Sequence, residues 1–232
     1  MLVYGKNVAR DLLENHVKIN SIILEDNFND NSILSLIENN KIKVEYKRKH
    51  EIDNLVDGLH QGIILSIPDY QYHNLNSVLD NNDEVVLILD HIEDPHNFGA
   101  IIRTCEAAGI KSIIISQDRQ VPVNSTVMKT SAGTLFNVNI VMVNSIANCI
   151  DTLKDNGYWI VGTALDNSVD YREVDYSGKI ALVMGNEGKG ISHLVSKKCD
   201  YLAKIPMYGK TNSLNVSVAT GIMIFEVIRN RK

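Results

Sequence analysis

Three separated loops hold the polar residues whose types and spacing could do chemistry. The first is Asp94-Pro-His-Asn-Phe-Gly-Ala-Ile-Ile-Arg103, in which Asn97 and Arg103 bracket the start of an expected helix. A guanidinium beside a buried sheet needs an anion, because leaving it unpaired there is costly. A substrate phosphate would serve, and so would Glu106. The second loop, Val183-Met-Gly-Asn-Glu-Gly-Lys-Gly-Ile-Ser192, sets glycines around Glu187, so its backbone can turn tightly and come close to a ligand. Its spacing is neither a dinucleotide fingerprint nor a P-loop. A plain strand-to-helix turn with Glu187 at a helix N-terminus would read the same way. The third loop carries Asn212, Ser213 and Asn215 into the first turn of a terminal helix. Free N–H groups there favour an electron-rich ligand, although the same side chains serve as ordinary helix caps. Arg103, Glu187, Ser213, Asn97 and Asn215 then offer one guanidinium, one carboxylate, one hydroxyl and two carboxamides, with no Ser-His-Asp order and no carboxylate pair. That set suits the orienting of a phosphate-bearing substrate and a small cofactor, and is poorly equipped for covalent or metal chemistry.

The elements that must position these loops read as α/β throughout. Residues 1–68 alternate helix and strand in a small unit, with helices expected at Asn7–Asn15, Ser32–Asn39 (capped by Ser32) and Glu51–Leu59, by apolar period and capping. Residues 69–82 follow Pro68, are polar, and read as a linker. Residues 83–232 form the second unit. Strands at Val85–Leu89, Ser112–Ser116, Val138–Val143, Trp159–Ala164, Lys179–Met184 and Tyr201–Met207 alternate with helices that include Ala100–Ala108 and Gly190–Lys198. That order means a mostly parallel sheet, whose ligands bind at the carboxyl ends of the strands. The three loops fall at those ends. The terminal helix is apolar on two stripes, Val218/Ile222/Phe225 and Ala219/Met223/Val227, so burial against a second subunit is expected.

Composition bounds the rest. An apolar fraction of 44% supports a sizeable core. No apolar run is long enough to span a bilayer, and Met1–Asn20 lacks the apolar core of a signal peptide, so a cytosolic protein is expected. Cys105, Cys149 and Cys199 are widely spaced, without a partnering His cluster, which supports neither a disulfide framework nor a zinc site. The net charge of −5 runs against a polyanionic partner, but distribution outweighs the sum. Lys41, Lys43, Lys47, Arg48 and Lys49 stand against Glu45 alone, with Tyr46 among them, a patch able to hold a polyphosphate by counterion release.

Taken together and in this order, the motifs resemble those of the SPOUT superfamily, in its TrmH-type ribose 2′-O-methyltransferases. The match runs through Asp94–Arg103, Leu182-Val-Met-Gly-Asn-Glu-Gly188, Ile205-Pro-Met207 and Asn212-Ser-Leu-Asn-Val-Ser-Val-Ala219. Val3-Tyr-Gly-Lys-Asn-Val8 and His60-Gln-Gly62 resemble that family's small L30e-like RNA-binding domain. Within the family the chain is most similar to bacterial enzymes that methylate a guanosine ribose of 23S ribosomal RNA; transfer RNA is the alternative substrate, and a non-catalytic RNA-binding protein the alternative class. The resemblance implies a C-terminal trefoil knot, a homodimer through the last helix, an RNA partner and no metal. It implies S-adenosylmethionine at Thr163, Gly185, Ile205, Met207 and Leu214, and catalytic roles for Arg103, Asn97, Glu187, Ser213 and Asn215.

Overall fold

The computed structural model describes residues 1–186 and 188–231. They form two compact units: Met1–Gln71 with Val123–Phe136, and Tyr72–Pro122 with Asn137–Lys232. The segment 123–136, read above as part of the second unit, packs with the first.

The first unit contains β1 (Leu2–Tyr4), α1 (Lys6–Glu14), β2 (Ser21–Glu25), α2 (Asn31–Asn39), β3 (Val44–Lys47), α3 (Lys49–Asp53) and β4 (Ile63–Ser66). Its sheet has the order β1-β4-β2-β3, leaving β3 at an edge. Ile22, Leu24, Ile63, Ile64 and Leu65 are fully buried, which is why β4 reads as a continuous apolar run. Asp30, rather than Ser32, caps α2 by accepting from Ile33 N at 3.3 Å. The helix expected at Glu51–Leu59 is shorter and earlier. It begins after Arg48, whose N–H donates to Glu51 Oε2 at 3.0 Å, and gives way before Gly58 at φ 150°. From the later segment, a short helix at Ser125–Thr130 packs on β1 and α1, and Lys129 Nζ lies 5.7 Å over the Tyr4 ring.

With the helix Ser125–Thr130 of the first unit counted as α6, the second unit contains α4 (Asn76–Asp80), β5 (Val85–Asp90), α5 (Pro95–Ala107), β6 (Ser112–Ser116), β7 (Asn139–Val143), α7 (Ile146–Asp155), β8 (Tyr158–Thr163), β9 (Val169–Asp170), β10 (Lys179–Gly185), α8 (His193–Ser196), β11 (Tyr201–Lys204) and α9 (Val216–Arg229). The sheet order is β7-β6-β5-β10-β8-β11-β9, with every pair parallel. Val86, Ile88, Ala181, Val183, Tyr158 and Ile160 form one buried face with Ile150 and Leu153 of α7. On the unit's other helical layer, α9 packs along α5 and against β10.

Two helix starts differ from expectation, for local reasons. The helix expected at Ala100–Ala108 would leave Pro95 in the loop before it. Instead Pro95 occupies the first helical position, where its missing N–H costs nothing, and Asp94 caps by accepting from Asn97 N at 2.8 Å. Asn212 and Ser213 precede α9 and do not sit in its first turn; Asn215 is the cap, accepting from Ser217 N at 3.0 Å. Around α8, helix covers only His193–Ser196 of the expected Gly190–Lys198.

Candidate active site

Strands β5, β8, β10 and β11 deliver their carboxyl ends to one place. Asp90, last in β5, pairs in register with Gly185, last in β10. Asp90 is 1% exposed, and its Oδ2 accepts from Ser192 N at 2.6 Å, so the strand end grips the far side of the second loop. Oδ1 lies 2.7 Å from His91 Nδ1, without hydrogen-bond geometry. His91 has φ 67°, a conformation uncommon outside glycine, and its carbonyl accepts from Asn186 Nδ2 at 3.0 Å. The second loop is closed on itself by Asn186 N donating to Gly190 O at 3.1 Å and Gly190 N to Asn186 O at 2.8 Å.

This closure decides the residue at 185. A Cβ on Gly185 would stand 2.1 Å from Gly190 C and 2.2 Å from Ile191 N, both backbone. Only glycine lets the loop fold back this closely.

Beneath the loop is a cavity of about 660 Å³. Thr163, Gly185, Ile205, Met207 and Leu214 all line it, as do Asn212 and Ser213. Thr163 Oγ1 donates to Val183 O at 3.2 Å, which ties the ends of β8 and β10 together. The volume falls in the range of roughly 300–1,000 Å³ usual for small-molecule sites. Met184, Ile191, Leu202 and Val216 give apolar walls, while Asp166, Lys189 and Lys204 bring charges of both signs to the lining. S-adenosylmethionine needs that mixture: a flat apolar slot for the base, and both signs for an amino-acid end. The donor set fits it.

Asn97 and Asn215 meet at the edge of this region, with Asn215 Nδ2 donating to Asn97 Oδ1 at 3.0 Å. The first and third loops are thereby joined across 118 residues. Arg103 is not on the cavity wall. Because α5 begins at Pro95, Arg103 lies eight residues into the helix, about 12 Å along its axis, rather than one turn from the loop. It is exposed, and among the described residues it makes no ion pair. Glu106 instead accepts from Asn137 Nδ2 at 3.2 Å. Glu187 lies outside the described residues.

The basic patch flanks edge strand β3: Lys41 and Lys43 precede it, Lys47 ends it, and Arg48 and Lys49 open α3. Lys41, Lys43, Arg48 and Lys49 are exposed and Lys47 is half-buried. Two of the five cations are drawn onto carboxylates: Lys47 Nζ is 2.9 Å from Glu45 and Arg48 Nε 3.1 Å from Glu51. Glu45 accordingly holds the Lys47 ammonium above its ordinary range. The cysteines take no part in the chemistry described. Burial pushes the Cys149 and Cys199 thiols up to about 12 and raises Cys105 further, so none is a thiolate at neutral pH. Among the described residues no cluster of His, Cys, Asp or Glu could hold a metal ion, and no helix is long and apolar enough to cross a membrane.

Sequence reasoning gave no role to Asp90 or Asn186, although a lone carboxylate ending a wholly apolar strand was a usable signal. Nor did it give one to Ser217.

Comparison with known proteins agrees with this geometry. Residues 84–225 match the SpoU rRNA methylase family, and residues 2–73 match the RNA 2′-O ribose methyltransferase substrate-binding family. A protein of Staphylococcus saprophyticus named for the TrmH family of tRNA/rRNA methyltransferases is 41% identical over 239 residues, covering 100% of this chain and 96% of that one. The AdoMet-bound rRNA methyltransferase of Sinorhizobium meliloti superposes with a TM-score of 0.81 at 29% identity, over 98% of this chain and 86% of that one. AviRb of Streptomyces viridochromogenes, at 22% identity and a TM-score of 0.83, shares the fold over 100% of this chain and 90% of its own. A cavity at the strand ends, two motif loops lining it with the first joined to the third through Asn97, and two family matches that together span nearly all of its length place this chain in the SpoU rRNA methylase family.

Proposed function

We propose that the chain methylates a ribose 2′-hydroxyl of ribosomal RNA, with a guanosine of 23S rRNA as the preferred target. Family membership makes it an S-adenosylmethionine-dependent RNA methyltransferase. The observation that supports methyl transfer at this site is the cavity whose wall holds Thr163, Gly185, Ile205, Met207 and Leu214, beside the Asn97–Asn215 contact; the choice of 23S rRNA rests on the resemblance of the motifs. When bound, the cofactor supplies a methyl group on a sulfonium. The protein must then hold the ribose in line and help its hydroxyl lose a proton. Arg103 is read as gripping the phosphate next to the reacting ribose, which lowers the hydroxyl pKa; a guanidinium is too weak an acid to serve readily as the base itself. Asn97, Glu187, Ser213 and Asn215 orient it and the substrate.

The same reading includes a trefoil knot and a homodimer. After β11, beyond β8, the chain returns to pack α9 on α5 and β10, the path a threaded loop requires. One stripe of α9 stays open in the single chain, with Val218 51% and Phe225 52% exposed and Ile222 half-buried. Phe225→Asp is expected to convert a dimer to monomers in sedimentation velocity; an unchanged dimer would put the contact elsewhere.

Residues 1–68, completed by Val123–Phe136, are read as the RNA-binding domain, 69–82 as a linker that carries α4, and the rest of 83–232 as the methyltransferase domain of a cytosolic protein. Since Glu45 and Glu51 engage Lys47 and Arg48, the cations most available to phosphate are Lys41, Lys43 and Lys49. Their joint replacement by Gln is expected to flatten the salt dependence of RNA binding by roughly 0.7–0.9 in log–log slope per lost contact. An unaltered slope would remove this edge from the interface. Tritium transfer from labelled cofactor, offered ribosomal RNA and transfer RNA from cells lacking the protein, tests the substrate; labelling confined to transfer RNA would replace the ribosomal reading.

A further inference from the structure

A second layer of polar groups stands behind the residues that meet substrate. Asn215 Oδ1 accepts twice from Ser217, from the backbone N–H at 3.0 Å and from the hydroxyl at 2.5 Å. A carbonyl oxygen has two lone pairs, and these bonds use both. The amide is thereby fixed with Nδ2 toward Asn97 Oδ1, which accepts at 3.0 Å. Turned over, it would set N–H groups against the N–H of Ser217 and an oxygen against the Asn97 oxygen, losing both of those bonds. Asn97 is anchored in turn, its backbone N–H donating to Asp94 Oδ1 at 2.8 Å. The donors therefore run one way, from Ser217 to Asn215 to Asn97, and link the first turns of α9 and α5.

Resting on the reading of the site as a ribose methyltransferase, we infer that Ser217 is a positioning residue for methyl transfer, acting through Asn215. Both Ser217 donors fall on Oδ1, and together they hold the Asn215 amide with Nδ2 toward Asn97. Through the Asn215–Asn97 bond the same hydroxyl sets the register of the third loop against the first.

The alternative is that Ser217 merely caps α9, since its N–H bond to Asn215 is an ordinary cap. The two accounts separate on the hydroxyl, which the cap does not need. In the full-length protein with tritiated cofactor and the RNA that wild type labels, Ser217→Ala is expected to lower the single-turnover rate about tenfold, the worth of one hydrogen bond to a positioned group. The cofactor Kd from calorimetry should stay within about twofold and Ser217→Thr should restore most of the rate, since the bond is kept. Added to Asn215→Ala, Ser217→Ala should cost nothing more, because a residue that acts through another has no effect once the other is gone. Equal losses in both backgrounds, or a loss that follows cofactor affinity and is not rescued by Thr, would overturn the assignment. One readout needs no substrate: in amide-labelled protein the side-chain N–H pair of Asn215 should be sharp in wild type and broadened in Ser217→Ala. Identical signals would equally overturn it. Wild type that labels no RNA at all would instead sink the functional reading, leaving the amide measurement to judge Ser217.

Discussion

Gly185→Ala is expected to abolish cofactor binding and to destabilise the second unit by about 3 kcal/mol, the upper part of the range for an overpacked site. In a chain of this size that is a fall of roughly 6–12 °C in Tm. The added methyl would sit 2.1 Å from Gly190 C and 2.4 Å from Gly190 O. Neither atom can step aside. Gly190 is bonded to Asn186 in both directions, and Ser192 two residues on is held by buried Asp90. Backbone conformation is not the obstacle, because Gly185 is not among the left-handed glycines. Gly209→Ala is the matching control: nothing lies within 4 Å of its Cβ, so the melting temperature should hardly move. Calorimetry and thermal melts of the two variants side by side check this. Full cofactor affinity in Gly185→Ala would mean that the second loop folds differently.

Arg103→Ala is expected to reduce methyl transfer by about 10³-fold, in the range for losing a preorganised charge at the reacting group, while cofactor affinity stays near wild type. Two observations separate these effects. Arg103 is off the cavity wall that carries the residues proposed for the cofactor, and it is exposed, so its removal should alter stability by no more than about 0.5 kcal/mol. Arg103→Lys should recover little, because a point charge does not replace a planar fork. Tritium transfer and calorimetry on the same preparations test both halves. Cofactor binding lost together with activity would assign Arg103 to the cofactor instead of the RNA.

Legibility in the sequence followed the range of the forces involved. Strands buried on both faces were plain, since Val85–Asp90 and Ser112–Ser116 are apolar or small with no exposed position to break the run. Every residue expected at the cofactor is on one cavity wall, because loops at the carboxyl ends of adjacent parallel strands must converge. Local competition was harder to read. Pro95 both ends one structure and starts another, and which it does depends on Asp94 reaching Asn97 N. That choice moved Arg103 by about a turn. Partners distant in sequence were invisible: Asp90 with Ser192 and Asn97 with Asn215 are 102 and 118 residues apart, and no periodicity encodes them. The shortfall of free charge beside β3 is local instead: Glu45 and Glu51, two and three residues from their partners, engage Lys47 and Arg48.

The two-part make-up of the first unit bears on how the polypeptide is made. Val123–Phe136 completes that unit, with Gly133 so close to Asp11 that a Cβ would fall 2.5 Å from its Cγ. A nascent chain emerging from the ribosome therefore exposes its first seventy or so residues long before the piece that seals them has been translated. By then β5 and β6 have already been synthesised and seek neighbours of their own. A fragment cut in the segment after Pro68 would lack that seal, and is the wrong reagent for studying RNA capture by the N-terminal half.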